Sequence, residues 1–179
     1  MRRTSIVLAL LLLFLWAGAS AASEGGVKKI GLVAHDALKG EMLEWVMENA
    51  ETLAPHSLVC TGTTGRLIGE LFEANFPALS PDIRIMKSGP LGGDMQIGAL
   101  IADGGLDVLV FFVDPMSMQP HDADIRALLR ICNVYNTVLA TNRSTADFVV
   151  SSPLFGRYDA RSRDYGYYTG RETPVEKAQ

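Results

Sequence analysis

Five short apolar runs are spaced along this chain, separated by stretches in which apolar residues recur every three or four positions. The runs are Lys29 to Ala34 (KIGLVA), Ser57 to Cys60, Ile83 to Met86, Leu106 to Val113 (LDVLVFFV) and Thr137 to Ala140. Short and largely apolar rather than alternating, they predict strands buried on both faces. The stretches between them predict helices. Glu41 to Leu53 carries Met42, Leu43, Trp45, Val46 and Ala50 at helical spacing, and Gly65 to Ala74 carries Leu67, Ile68, Leu71 and Phe72. Gly92 to Ala102 follows with Met95, Ile97, Ala99, Leu100 and Ile101, ended by Gly104-Gly105. Asp122 to Val134 carries Ile125, Leu128, Leu129 and Cys132, with Asp122 a candidate cap, and Ser144 to Val150 is a shorter helix. Strands alternating with helices at this spacing predict an α/β domain, a doubly wound parallel sheet of about five strands with helices on both faces.

Four of the runs end in a turn that is polar, small or both: Ala34-His35-Asp36, Thr61 to Gly65 (TGTTG), Ser88 to Asp94 (SGPLGGD), and Asp114-Pro115 with His121 shortly after. In an open parallel sheet the strand C-terminal ends share one edge, so these turns are expected to converge on one crevice. In the Thr61–Gly65 turn, glycines let backbone amides approach an anion, threonine hydroxyls add donors, and the helix start adds a favourable partial charge. No Gly-Lys-Ser/Thr ending follows, so it is not a Walker loop. Ser88 to Asp94 repeats the logic with a carboxylate at a helix start, where Asp94 is either a cap or a group facing the ligand. Lys39 is a candidate point charge for a phosphate. His35 and His121 lie just beyond strand ends, and Asp124, three residues after His121, is placed to orient its imidazole through a hydrogen bond. Each of these has an ordinary structural explanation alone. Together they point to a small phosphorylated ligand.

Composition changes the picture only at the ends. The 179 residues are 48% hydrophobic and 20% charged, with net charge −4, which suits one compact domain and gives no electrostatic case for nucleic acid. Arg2-Arg3, an apolar run from Ile6 to Trp16 and Ala19-Ser20-Ala21 form the pattern of a secretory signal over residues 1–21. The run falls short of the roughly 20 residues a spanning helix needs. The expected location is therefore periplasmic or secreted, with an uncleaved anchor as one alternative and a misassigned start, which would leave the chain cytoplasmic, as another. Residues 22–28 read as a linker and 29–155 as the domain. From 156 to 179, Arg157, Arg161, Arg163 and Arg171 alternate with tyrosines, glycines and acids, without core periodicity, as a flexible or partner-wrapped tail. Cys60 and Cys132 are the only cysteines and read as buried small hydrophobes. With no Cys/His cluster, no metal site is expected.

The motifs also resemble a known family. Gly31-Leu-Val-Ala-His-Asp36 with Lys39, Thr61-Gly-Thr-Thr-Gly65, Ser88 to Leu100, Asp107 to Phe112, Asp114-Pro115, Pro120 to Asp124, Ala127 to Arg130 and Ala140-Thr-Asn142 are similar to stretches of bacterial methylglyoxal synthase, in order and correctly spaced. The resemblance runs from Lys29 to about Phe155. It implies a lyase that converts dihydroxyacetone phosphate to methylglyoxal and inorganic phosphate, through an enediol(ate) and without metal or organic cofactor. By motif position Asp94 is the base and His121 binds substrate oxygens and helps move protons. His35, Lys39, Thr61, Gly62, Thr63, Thr64, Ser88 and Gly89 fall on substrate and phosphate contacts, and Asp36, Asp114 and Asp124 match supporting acids. The resemblance further implies a homohexamer, with phosphate as product and inhibitor. Two features depart from it: the export signal, and the tail, which stands where members carry a further strand, a helix and a phosphate-binding arginine. The competing reading is an exported, non-catalytic domain of the same fold that binds a phosphorylated metabolite.

Overall fold

The computed structural model describes residues 26–160 and 163–170. The expected signal over 1–21 lies outside the described residues, as do Arg161 and Arg171 of the tail.

Five strands form one all-parallel sheet in the order β3-β2-β1-β4-β5. They are β1 (Lys29–Ala34), β2 (Ser57–Cys60), β3 (Asp82–Ile85), β4 (Val108–Phe112) and β5 (Val138–Ala140). β1 lies between β2 and β4, with Ile30 opposite Leu58 on one side and Val108 on the other. The connecting helices are α1 (Lys39–Glu48), α2 (Ala50–Leu53), α3 (Gly62–Asn75), α4 (Gly93–Ala102), α5 (Asp122–Tyr135), α6 (Arg143–Ser151) and, in the tail, α7 (Gly166–Thr169).

Alternate strand residues feed two cores, one on each face. Ile30, Leu32, Leu58, Val108, Val110 and Phe112 pack with α1, α2, α3 and α6 around Trp45 and Phe72. Val33, Val59, Leu109 and Phe111 pack with α4 and α5 around Ile97, Ile101 and Leu128. This double burial is why β1 and β4 read as continuous apolar runs; against expectation the edge strand β3 is largely exposed and β5 only partly buried, because each has a neighbour on one side only. Gly31 sits where a Cβ would stand 2.8 Å from a Leu109 methyl, so a larger residue there would push the Leu109 side chain aside. Cys60 and Cys132 are buried in different cores, and burial pushes the Cys60 thiol up to about 12.

Several boundaries differ from expectation. The first helix begins at Lys39, earlier than the apolar spacing indicates, and breaks at Asn49, whose φ of −113° leaves the helical range. α3 begins at Gly62 instead of Gly65, which puts Thr63 and Thr64 inside its first turn. Asp122 is not the cap of α5: it lies in the first turn and pairs with Arg126. α6 is capped by Asn142, whose side chain accepts from the Thr145 N–H at 2.9 Å.

The tail beyond Phe155 is docked over its described part. Buried Lys28 donates to the Tyr158 carbonyl at 2.8 Å and pairs with Asp159 at 2.9 Å, and the Tyr165 hydroxyl donates to the Val134 carbonyl at 2.8 Å. All these anchors are at the end of the sheet where the strands begin. Periodicity missed them because they use single polar contacts in place of a repeating apolar face.

Candidate active site

At the opposite end, the turns after β1, β2, β3 and β4 converge on one cavity of about 340 Å³. His35, Asp36 and Lys39 come from the first turn, Thr61, Thr63 and Thr64 from the second, and Ser88, Gly89 and Asp94 from the third. His121 closes the ring from the start of α5, with Gln119 and Pro120 before it.

The Ser88–Asp94 turn explains its own glycines. It makes a short 3-10 turn over Gly89–Leu91, passes through Gly92 at φ +90°, and enters α4 at Gly93. A Cβ at Gly93 would fall 2.0 Å from the Lys87 carbonyl oxygen, so no larger residue fits. The Lys87 N–H donates to Gln96 Oε1 at 2.9 Å, tying the turn's start to the helix it opens. Asp94 is thereby carried to the floor of the cavity, only 2% exposed.

Asp94 and His121 form a pair, with His121 Nε2 3.4 Å from Asp94 Oδ2. The carboxylate oxygen has no hydrogen-bond partner among the described residues, and neither do His121 Nδ1 and His35 Nε2. Burial raises the Asp94 carboxyl above its ordinary value; the His121 imidazole pulls it back, and the charge of Asp124 adds to the rise. His35 accepts a hydrogen bond at Nδ1 from the Asp114 N–H at 2.9 Å. That bond leaves the ring proton on Nε2, the atom free to meet a ligand. Burial and then the neighbouring His121 lower the His35 value, so it is a neutral donor at physiological pH. Its ring stands edge-on to Phe111, centroids 5.0 Å apart.

The same cavity holds a second group of donors. The leading N–H groups of α3 are outside its helical ladder, and the Thr61, Thr63 and Thr64 side chains stand beside them. Lys39 reaches the same cavity and pairs with Asp36 at its rim. The Lys39 bond holds the Asp36 carboxyl below the usual range. Helix-start amides, threonine hydroxyls and an ammonium are groups of the kind that hold an anion.

Three of the expected site residues are near the cavity without lining it. Gly62 packs against the next turn, where a Cβ would be 3.0 Å from the Ser88 N–H nitrogen. Asp114 acts through its backbone on His35, while its side chain accepts from Ser117 and the Met116 N–H. Asp124 does not make the expected bond to His121: the imidazole Nδ1 has no partner among the described residues, although Asp124 stands in the first turn of α5. Gln119, Pro120 and Phe111 were not singled out from sequence; the first two were legible only as immediate neighbours of His121.

Among the described residues, no group of three or more His, Cys, Asp or Glu is placed to hold a metal ion. A family model described as an MGS-like domain matches residues 41–141. The chain is 48% identical over 149 residues to a methylglyoxal synthase of Oleidesulfovibrio alaskensis, covering 82% of this chain and 96% of that protein. It is 52% identical over 128 residues to a methylglyoxal synthase of Pseudoalteromonas atlantica, covering 72% and 90%. The crystal structure of a methylglyoxal synthase from Elizabethkingia anophelis superposes with a TM-score of 0.73 at 44% identity, covering 83% of this chain and 93% of that one.

Proposed function

As this chain belongs to the methylglyoxal synthase family, it is a carbon–oxygen lyase acting on a phosphate ester, and we propose that Asp94 and His121 carry its central step. The substrate is dihydroxyacetone phosphate, and the products are methylglyoxal and inorganic phosphate. Asp94 removes a proton from the hydroxymethyl carbon, the one that does not bear the phosphate ester. An ordinary carboxylate is a weak base for a carbon acid; burial strengthens this one by raising its proton affinity. The electron pair moves onto the substrate oxygens, where His121 Nε2 and the neutral His35 Nε2–H stabilise the enediolate. Collapse of the enediolate breaks the carbon–oxygen bond to the phosphate and leaves the enol of methylglyoxal, which gains a proton at its methylene carbon and loses one from its oxygen to give the product. Lys39, the threonine hydroxyls and the α3 amides stabilise the charge that builds on the leaving group.

The observation that supports this reading is the set of unpartnered, buried polar atoms in one cavity: Asp94 Oδ2, His121 Nδ1 and His35 Nε2. Buried polar atoms are normally paired. All three belong to groups suited to proton removal or oxyanion binding, and Asp94 Oδ2 and His35 Nε2 are atoms that the proposed steps use, so substrate is their natural partner.

The test is release of methylglyoxal and phosphate from dihydroxyacetone phosphate. Equal release is expected, and Asp94→Asn should lower kcat by about 10²–10⁴-fold while retaining phosphate binding. A folded protein that binds phosphate and releases neither product would instead support a binding-only domain. Export and assembly belong to the same proposal. A mature chain starting near Ala22 in the envelope fraction supports the signal, and a full-length cytoplasmic chain overturns it. A hexamer by light scattering, and competitive inhibition by phosphate, are the expected solution properties.

A further inference from the structure

Among the described residues, the cavity is lined by a single amine, Lys39, and by neither arginine nor cysteine. On the functional reading above, methylglyoxal is released into this cavity. Ketoaldehydes are attacked by amines, guanidines and thiols, so Lys39 is the side chain in the wall most exposed to damage by the product. Its side chain is 20% exposed and points to the rim, against the carboxylate of Asp36, itself 95% exposed. While phosphate is bound, the ligand's charge faces the ammonium. Once phosphate leaves, Asp36 is the anion that remains beside it.

We propose that Lys39 Nζ is the site at which the enzyme is modified by its own product, and that the ion pair with the Asp36 carboxylate restrains this by engaging the nitrogen at the rim. An ammonium has no lone pair and does not attack. When the nitrogen loses its proton to water, its lone pair forms a bond to a carbonyl carbon of methylglyoxal. The carbonyl π pair moves to oxygen, which takes up a proton as the nitrogen gives up another, and a carbinolamine results. Isomerisation within that adduct, one carbon oxidised to an acid while its neighbour is reduced, fixes it as a carboxyethyl amine. Nothing leaves and no outside oxidant is needed, so the lysine gains the mass of one methylglyoxal. The product replaces a phosphate-binding cation with a bulky zwitterion.

The experiment treats the purified chain with methylglyoxal and maps adducts by peptide mass spectrometry, using exposed Lys87 outside the cavity as internal reference. The ratio of Lys39 to Lys87 adducts is compared for the wild type, Asp36→Asn and Asp36→Glu. Loss of a partly exposed ion pair should raise the ratio about two- to fivefold in Asp36→Asn. Asp36→Glu, which keeps a carboxylate, should stay near the wild type, and inorganic phosphate should lower the ratio in all three. An equal ratio in wild type and Asp36→Asn, or adducts on Lys87 with none on Lys39 in either, would overturn the proposal. Methylglyoxal is supplied and adducts are weighed, so the result does not depend on turnover: an inactive protein counts against the functional reading alone.

Discussion

Asp94 is buried to 2% exposure with one oxygen unpartnered, an arrangement that serves catalysis and costs stability. Its folded-state value lies above the ordinary 3.8. Between those two values the native state binds more protons than the unfolded chain, so stability falls as pH rises through that window and stays reduced above it. Asp94→Asn removes the charge and keeps the shape. Calorimetry at pH 7 should show this inactive variant melting about 2–4 °C higher than wild type, equivalent to ~1 kcal/mol. Below the ordinary carboxylate value the difference should disappear, because both proteins are then neutral at this position. A lower melting temperature at pH 7 would mean that the Asp94–His121 contact outweighs the burial penalty. Activity carries the opposite sign. The base works ionised, so kcat/KM should fall as pH drops through the raised Asp94 value, with the acid limb above the usual carboxylate range. Protonating His35 acts in the same direction, because it would break the bond from the Asp114 N–H.

The Ser88–Asp94 turn shows at the scale of an element what the sequence made legible and what it did not. Its glycines and aspartate announced a tight approach at a helix start, and β1 and β4 announced themselves as buried strands. Both signals are local, set by backbone sterics and by burial of each residue in turn. That Gly62 serves the packing of two turns against each other was not legible, because it depends on Ser88, a residue from the neighbouring strand's end. The same is true of the unpartnered His121 Nδ1: sequence proximity put Asp124 within reach, but no hydrogen bond joins the two among the described residues. Gly89 carries the element's sharpest prediction. A Cβ there would stand 2.9 Å from both Asp94 Oδ2 and His121 Nε2, and the backbone at Gly89 is not in the left-handed region. Gly89→Ala should therefore fold with a melting temperature near wild type yet lose about 10²-fold in kcat, the scale of a misplaced reacting group. Gly93→Ala, whose Cβ would meet the Lys87 carbonyl at 2.0 Å, should instead fail as a folded protein. Similar melting temperatures for the two variants would show that the turn is more pliant than its geometry indicates.

Across the whole molecule, catalysis and the tail occupy opposite ends of the sheet. α5 links them, starting at His121 in the cavity and ending near Val134, to which Tyr165 is bonded. Its 14 residues separate the two ends by about 20 Å. No described tail residue lines the cavity, so within one chain the described tail acts on the fold and not on the substrate. Truncation after Phe155 tests this division. It removes Tyr158 and Asp159, the two partners of the amine of Lys28, which is 7% exposed. It also removes the Tyr165 bond. Urea titration should show the truncated chain less stable by about 1–3 kcal/mol, the usual cost of stranding a buried charged group. Adding Lys28→Met to the truncated chain should recover part of the loss, because methionine brings no charge that needs a partner. If truncation left stability unchanged but raised KM, the tail would be working on a pocket it does not touch in its own chain. Light scattering would then decide the route: a lower mass for the truncated protein would place the missing residues against a neighbouring subunit's cavity.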